Sequence, residues 1–475
     1  MEGGENMEEK GIQIALDPKL SIQLRHTVLE EVNISMNKQQ ELRVNSKTKE
    51  YPTWDMVCAI MDRIDDTVDY LNHLKLNIGK YPRNAFDFFE FMNQSTVIID
   101  CIDTLAKIYN VSLYEENSST HIFNQRGYDG NGTDKKYFKY IHLLCAVHPI
   151  ETSYYRQTFQ DNDFESCPFV VWDDLKRKNS DLLAVVYTNK DDNYRKEIPI
   201  RIKEVFEYVS YRYSLLEKII QGVQKYHTEI IQSYIDTPMK RHFEFDNYID
   251  YLKYLRSEEE KRIGDDRLYI LDFVISLFNL SLSNPENQNH YKKYCNALQY
   301  AIGFQHNALQ RMQFEKFDNN GIRCPERNAE TTLLHELHYL GSKSQEAIKY
   351  GYEIGKLTYL SYDDDNESIA SNKSYAYSML ETIKPFLEKY VSFEGAQGDF
   401  EHYALVQIAL YFDCLESKSR VNKNIPNEFK YRDRLLSDEE LEELIKEDPI
   451  DNTRSTLFEE LMKLAGPYFD LKKNG

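Results

Sequence analysis

Residues 53–76 read TWDMVCAIMDRIDDTVDYLNHLKL, and their apolar positions recur at steps of three and four. That period places one apolar stripe along a helix. The stripe consists of Trp54, Val57, Cys58, Met61, Ile64, Val68, Leu71 and Leu74. A Gly/Pro break at 79–82 ends the segment, and a second helical pattern follows at 84–109. Two long helices joined by a short break predict an antiparallel pair within a helical bundle.

The rest of the N-terminal half mixes helical and β patterns. A third helix is predicted from residue 134 to 147, where Pro149 stops it. Residues 167–202 contain β-branched and aromatic runs, which predict a small β insertion. A long helix is then predicted over 202–235. Before the bundle, Gly11–Leu16 and Leu20–Arg25 are predicted as short strands, followed by a polar linker.

The C-terminal half is predicted as almost continuous helix without a fixed repeat. Its candidate helices are 244–258, 265–282, 287–314, 328–340, 343–359, 369–391, 399–416, 437–447 and 453–464. The predicted fold class is mainly α: an N-terminal helical bundle with a small β insertion, followed by a larger all-α helical array. The predicted domains are an N-terminal segment over 1–50, a helical domain over 51–236 and an all-α domain over 243–475.

Composition narrows the class of protein. The chain has 475 residues, a formal net charge of −20, and 41% hydrophobic residues. It is apolar enough to bury a core, so global disorder is excluded. The acidity excludes a broad nucleic-acid-coating surface, but it allows a small basic pocket. The favoured interpretation of the acidity is solubility, and mimicry of nucleic acid toward a basic partner is the alternative.

The cysteines and the N-terminal residues indicate the cellular compartment of the protein. Seven cysteines are widely spaced and form no CxxC motif, which indicates reduced thiols. Residues 1–10 are acidic and polar, unlike a signal peptide. The apolar stretches are too short and interrupted to span a bilayer. We therefore expect a cytoplasmic protein that does not engage a membrane.

Two histidines lie near the proline that stops the third helix. His142 and His148 are six residues apart, about 240° around an α-helix, so they share a face only if the helix ends between them. Histidine side chains titrate near pH 6.5, so two of them can act as an acid–base pair in phosphodiester cleavage without a metal. A structural role, with His148 in a turn and His142 on the surface, is the alternative.

A four-helix pattern with a polar helix end carrying a histidine resembles the HEPN-type ribonuclease domains of prokaryotic defence and toxin systems. The resemblance covers the helices near 53–77, 84–110, 134–147 and 202–235. It implies RNA cleavage with His148 as the catalytic histidine. The arginine of the family motif is replaced by His142, and Arg126 or Arg156 would supply the missing cation as substrate-binding residues. Such domains usually act as dimers, so the resemblance allows a homodimer.

Other motifs favour simpler interpretations. His335, Glu336 and His338 form HExH rather than HExxH, so a metal site joined by Cys324 or Glu330 is the less favoured interpretation. A calcium loop at residues 129–140 lacks the glycine and glutamate it would need. No phosphate-binding, dinucleotide or nucleophile-elbow motif occurs. We predict no cofactor and no metal.

The functional prediction is an antiviral-defence-type protein that cleaves or binds RNA through a degenerate HEPN-like domain. If it is an enzyme, it is a metal-independent endoribonuclease. The alternative is a non-enzymatic adaptor or inhibitor whose acidic helical array binds a protein partner through tyrosine-rich surface.

Overall fold

A computed structural model places most of the chain in helices. It describes residues 12–30, 53–77, 85–150, 153, 155, 158–160, 165–173, 178–188, 195–264, 268–317, 323–326, 332–362, 367–417, 419–430, 434–437 and 439–440. The described residues divide between two compact units, Met1–Ile230 (unit 1) and Ile231–Gly475 (unit 2). The domain boundaries given above stay predictions. The predicted polar linker, the helix over 453–464 and most of the helix over 437–447 lie outside the described residues.

Unit 1 is a helical bundle that carries one small sheet. Its α-helices are α1 (Pro18–Glu30), α2 (Thr53–His73), α3 (Phe86–Ile108), α4 (Tyr114–Ser118), α5 (Asp134–His142), α6 (Ile202–Ser214) and α7 (Leu216–Asp236), the last of which runs on into unit 2. A π-helical turn, Leu143–Val147, continues α5. The apolar stripe of α2 packs on α3, and Val57, Ile64 and Leu71 are fully buried. The period-3.6 pattern therefore identified the core face of this helix.

The sheet confirms the predicted β insertion. Its strands are β1 (Glu165–Trp172), β2 (Leu182–Thr188) and β3 (Arg195–Ile200), antiparallel in the order β1-β2-β3. The first five of the seven residues of β2 are buried in succession, as expected for a central strand. A register shift lies between Ser166 and Phe169 in β1. The sheet thus brings the start of β1 and β3 next to α5.

Three local predictions in unit 1 were wrong. Leu20–Arg25 belongs to α1 instead of a strand, because Leu24 and Val28, four residues apart, are the side chains that reach the core. Of the first predicted strand, Ile12 forms one bridge with Leu76 and residues 13–17 form no strand. The single helix expected over 202–235 is divided at Leu215 into α6 and α7, where Ser214 Oγ donates to the Tyr211 carbonyl.

Unit 2 is built on buried helices. Its α-helices are α8 (Tyr248–Ile263), α9 (Leu268–Phe278), α10 (Gln288–Arg311), α11 (Leu333–His338), α12 (Gln345–Lys349), α13 (Gly351–Leu357), α14 (Glu367–Leu387), α15 (Gly398–Glu416), α16 (Arg420–Asn424) and α17 (Asn427–Lys430). α10 and α15 are buried along most of their length and form the centre of the core. A hairpin of β4 (Phe314–Phe317) and β5 (Arg323–Glu326) follows α10, a feature that the sequence pattern did not predict.

Throughout the described parts of both units, no helix has the combination of length and apolar character that crossing a membrane requires.

Candidate functional site

Helix α5 has two chemically different faces. Lys135, Lys139 and His142 lie at steps of four and three, which places them on one side of the helix. Tyr137 and Tyr140 are buried on the opposite side. Thr133 caps the helix, its hydroxyl oxygen accepting from the Lys136 N–H at 3.2 Å. The helix therefore separates a cationic surface from an aromatic one.

The aromatic side of α5 lines a cavity of about 510 Å³, here called the aromatic cavity. Tyr137, Tyr140 and Phe159 close its floor, with the Tyr140 and Phe159 rings stacked at 5.3 Å between centroids. Arg126 and Tyr128 stand at its rim, and both are exposed. A cavity of this size, with an aromatic floor and polar side chains such as Gln125 and Glu197 in its lining, can hold a small molecule or a nucleotide.

A buried carboxylate lies behind the aromatic floor. The Glu165 side chain is wholly inaccessible to solvent and forms an ion pair with Lys196, which lines the cavity. The Tyr140 hydroxyl donates to Glu165 Oε2 at 2.6 Å, and Gln160 Nε2 donates to the same oxygen at 3.2 Å. Burial, and then the neighbouring carboxylate, raises the pKa of Tyr140 well above its ordinary value. The buried carboxylate is therefore paired with a cation, and Tyr140 stays protonated.

The rim loop, residues 125–132, is held in one shape by hydrogen bonds within the loop and to Thr158. The Tyr128 N–H donates to the Thr158 carbonyl at 2.8 Å, and the Thr158 hydroxyl donates to Asp129 Oδ2 at 2.9 Å. The Gly132 N–H donates to the Arg126 carbonyl at 2.7 Å. The Asn131 N–H, which donates to Asp129, lowers the pKa of that carboxyl. Asp129 thus acts in the turn, which accounts for it without the calcium-loop interpretation.

We expect Gly127→Ala to destabilise unit 1 more than Gly130→Ala. Both glycines have positive φ, 70° and 72°, so both substitutions should cost roughly 1–2 kcal/mol of backbone strain. A Cβ at Gly127 would also lie 2.2 Å from the Thr158 carbonyl oxygen, whereas one at Gly130 meets nothing within 4 Å. The clash should add roughly 1–3 kcal/mol. Urea unfolding of both variants measures the difference, and equal losses would contradict a close-packed rim loop.

The structure separates the residues predicted to form one site. Arg126 lines the aromatic cavity, whereas His142 lies on the other face of α5, half-buried, with its Nε2 at 2.9 Å from Asn93 Oδ1. Burial lowers the pKa of His142. His148 is exposed and follows the π-helical turn, and its N–H donates to the Leu143 carbonyl. Arg156 lies outside the described residues. No measurement tests the assignment of these four residues, so their roles stay predictions.

His148 is connected to the cavity through its neighbour in the chain. The carbonyl of Pro149 accepts from the Cys167 N–H at 2.6 Å and from the Ser166 hydroxyl at 3.3 Å. Both donors follow Glu165 at the start of β1. His148 therefore precedes a segment that is anchored to the strand behind the aromatic floor.

The HExH residues of unit 2 take part in packing. Glu336 pairs with Lys343 Nζ at 2.8 Å, and the His338 ring lies edge-on to Phe273 and Tyr269. Among the residues that the structure describes, no cluster of three or more His, Cys, Asp or Glu side chains could hold a metal ion. Glu330 and the Cys324 side chain are outside that set.

Sequence reasoning missed the Glu165, Lys196 and Tyr140 cluster. These residues come from β1, β3 and α5, and no short-range spacing links them. The one available signal was the glycine density of residues 127–132, which indicates a tightly turned loop. Comparison with known proteins finds no match for the chain among family models, curated sequences or solved structures.

Proposed function

We propose that unit 1 binds single-stranded RNA and places one nucleotide at the aromatic cavity. The observation that supports this most directly is an exposed guanidinium, Arg126, beside an exposed ring, Tyr128, at the rim of a cavity with an aromatic floor. Bases stack on aromatic rings, and arginine binds phosphate through a planar pair of donors. The resemblance to HEPN-type domains is the reason for choosing RNA over other nucleotide-containing ligands.

The charges around the cavity are consistent with one phosphate contact. Lys196 is paired with Glu165, and Glu197 is paired with Arg195 at 3.2 Å. Within the described part of the chain, the Arg126 guanidinium forms no ion pair, so it can donate to a phosphate without breaking one. With a net charge of −20, the chain would repel a long RNA outside this point. We therefore expect a short footprint and a weak dependence of affinity on salt.

Binding of a labelled single-stranded RNA to the full chain tests the proposal. Arg126→Ala and Tyr128→Ala should each weaken binding roughly tenfold, because each removes a phosphate contact or a stacked ring. Arg63→Ala is the matched control, since Arg63 is exposed on α2 and does not line the aromatic cavity. Unchanged affinity in both rim variants, or equal weakening by the control, would contradict the assignment.

Cleavage is the second part of the proposal, with His148 taking the proton of the attacking 2′-hydroxyl and a water molecule protonating the leaving oxygen. His148 is exposed and adjoins the segment anchored behind the cavity, whereas His142 is engaged with Asn93 on the opposite face of α5. The proposal therefore retains His148 and gives His142 no catalytic role. Cleavage that survives EDTA and is lost in His148→Ala would support it. Cleavage that is unchanged in His148→Ala would remove His148 from the reaction.

A protein-binding function for unit 2 is the second candidate. Several of its tyrosines are exposed, and two pairs are joined by hydrogen bonds between their hydroxyls: Tyr269 with Tyr339 at 2.8 Å, and Tyr352 with Tyr375 at 3.0 Å. Exposed tyrosine is favoured at interfaces because it buries a large area with little loss of side-chain entropy. Protein binding becomes the favoured function if the wild-type chain binds no RNA.

A further inference from the structure

A second cavity, of about 810 Å³, lies on the lysine-bearing side of α5 and is here called the cationic cavity. α3, α4 and α5 and the segment between α3 and α4 contribute to it. Its charged lining residues are Lys107, Lys135, Lys139, Asp100 and Asp103. The lining is mostly polar, in contrast to the floor of the aromatic cavity.

A fully buried arginine supports the wall of this cavity. Arg212 of α6 donates to Asp103 Oδ1 at 2.5 Å and to Asn117 Oδ1 at 2.9 Å, and both acceptors line the cavity. Its Nε is buried and has no hydrogen-bond partner among the described residues. Lys135 Nζ binds the other oxygen of Asp103 at 2.6 Å. The Asp103 carboxylate is therefore neutralised twice, by a buried and a half-buried cation.

The remaining lysines carry charge that the wall does not neutralise. Lys139 Nζ is 3.9 Å from Asp100 Oδ1, at the outer limit of an ion pair. Lys107 is exposed and forms no ion pair within the described residues. Three lysines thus line the cavity beside two carboxylates, in a chain whose overall charge is −20. A recessed excess of positive charge attracts anions, since the low-dielectric walls focus the field.

We propose that the cationic cavity binds a small ligand that carries a diphosphate group. Lysine ammonium groups are compact phosphate-binding charges, and Lys107, Lys135 and Lys139 come from two helices that border one cavity. The volume exceeds what one phosphate fills, and Thr104, Ser112 and Asn117 add neutral polar groups to the lining. The diphosphate is either free pyrophosphate or part of a nucleoside diphosphate. This site does not depend on RNA binding, because it lies across α5 from the aromatic cavity.

Calorimetric titration of the full chain with inorganic pyrophosphate tests the site. Wild-type protein should bind, and Lys107→Gln and Lys139→Gln should each weaken binding roughly tenfold. Lys203→Gln, an exposed lysine of α6 that does not line the cavity, should leave the affinity unchanged. A parallel titration with adenosine diphosphate distinguishes the two sources of the diphosphate. Affinity should fall as salt is raised, because the contacts are ionic.

Three results would overturn the inference. They are no binding of either ligand by the wild type at millimolar concentration, equal weakening in Lys203→Gln, and loss of pyrophosphate binding in Arg126→Ala. The last would mean that the anion occupies the aromatic cavity. RNA binding that is lost in Arg126→Ala while pyrophosphate binding persists would separate the two sites, so either proposal can fail without the other.

Discussion

Replacing Arg262 by methionine is expected to lower the free energy of unfolding of unit 2 by about 3–5 kcal/mol. The Arg262 side chain is 1% exposed, and its Nε donates to Glu258 at 2.8 Å. Its other nitrogens donate to backbone carbonyls, at 3.1 Å for both Tyr234 and Leu309 and at 3.4 Å for Thr237. These carbonyls lie at or just after the C-terminal ends of α7 and α10, where helices leave acceptors unsatisfied. The substitution leaves those carbonyl acceptors and the buried Glu258 carboxylate without their arginine donor.

Arg256→Met is the matched control for this prediction. Arg256 lies on the same helix, α8, and pairs with Asp272 at the surface, at 2.5 and 3.1 Å. Exposed pairs contribute at most about 1 kcal/mol, so the control should lose little. Urea unfolding of wild type and both variants measures the effect. Similar losses of unfolding free energy in the two variants would mean that the contacts of Arg262 with the helix ends do not stabilise unit 2.

Unit 2 is also expected to lose stability, on the order of several kcal/mol, as the pH falls from about 6.5 toward 4. Burial, reinforced by the nearby charges of Arg241, His242 and Arg262, lowers the pKa of His306 to about 3. Burial, and then His335, lowers the pKa of His338 to about 4. In the unfolded chain both titrate near 6.5, so below that pH the unfolded state binds more protons than the folded state. The stability is therefore complete above pH 6.5 and is lost on acidification.

Unfolding in urea at pH 7.5 and pH 5 measures this dependence, with His306→Gln as the comparison. Glutamine keeps a polar group near the Tyr251 hydroxyl, which is 3.1 Å from His306 Nδ1, but it does not titrate. The variant should therefore lose less stability between the two pH values. Buried carboxylates such as Glu401, whose pKa is lowered, change the stability only below about pH 4.5. They therefore do not contribute to the difference measured between pH 7.5 and pH 5. An identical loss in wild type and variant would exclude His306 as a cause.

The sequence was sufficient for those helices whose apolar period is long and regular. Val57, Ile64 and Leu71 repeat every seven residues, and all three are buried in α2. It was misleading for α1, where Leu20, Ile22 and Leu24 alternate with polar residues as in a strand. In the structure Ile22 is 51% exposed, and Leu24 is buried together with Val28. A short alternation does not distinguish a strand from a helix, since the neighbouring core decides which positions are covered.

The same distinction applies to the two candidate sites. The sequence by itself determined a mainly α chain with one β insertion, because local period and turn residues act over a few neighbours. It also selected Arg126, His142 and His148, but it could not show that α5 lies between Arg126 and His142. Some contacts join residues that are far apart in the chain: Glu165 with Tyr140 and Lys196, and Arg212 with Asp103. Only the tertiary structure decided them, because such contacts depend on how the helices and the sheet pack together.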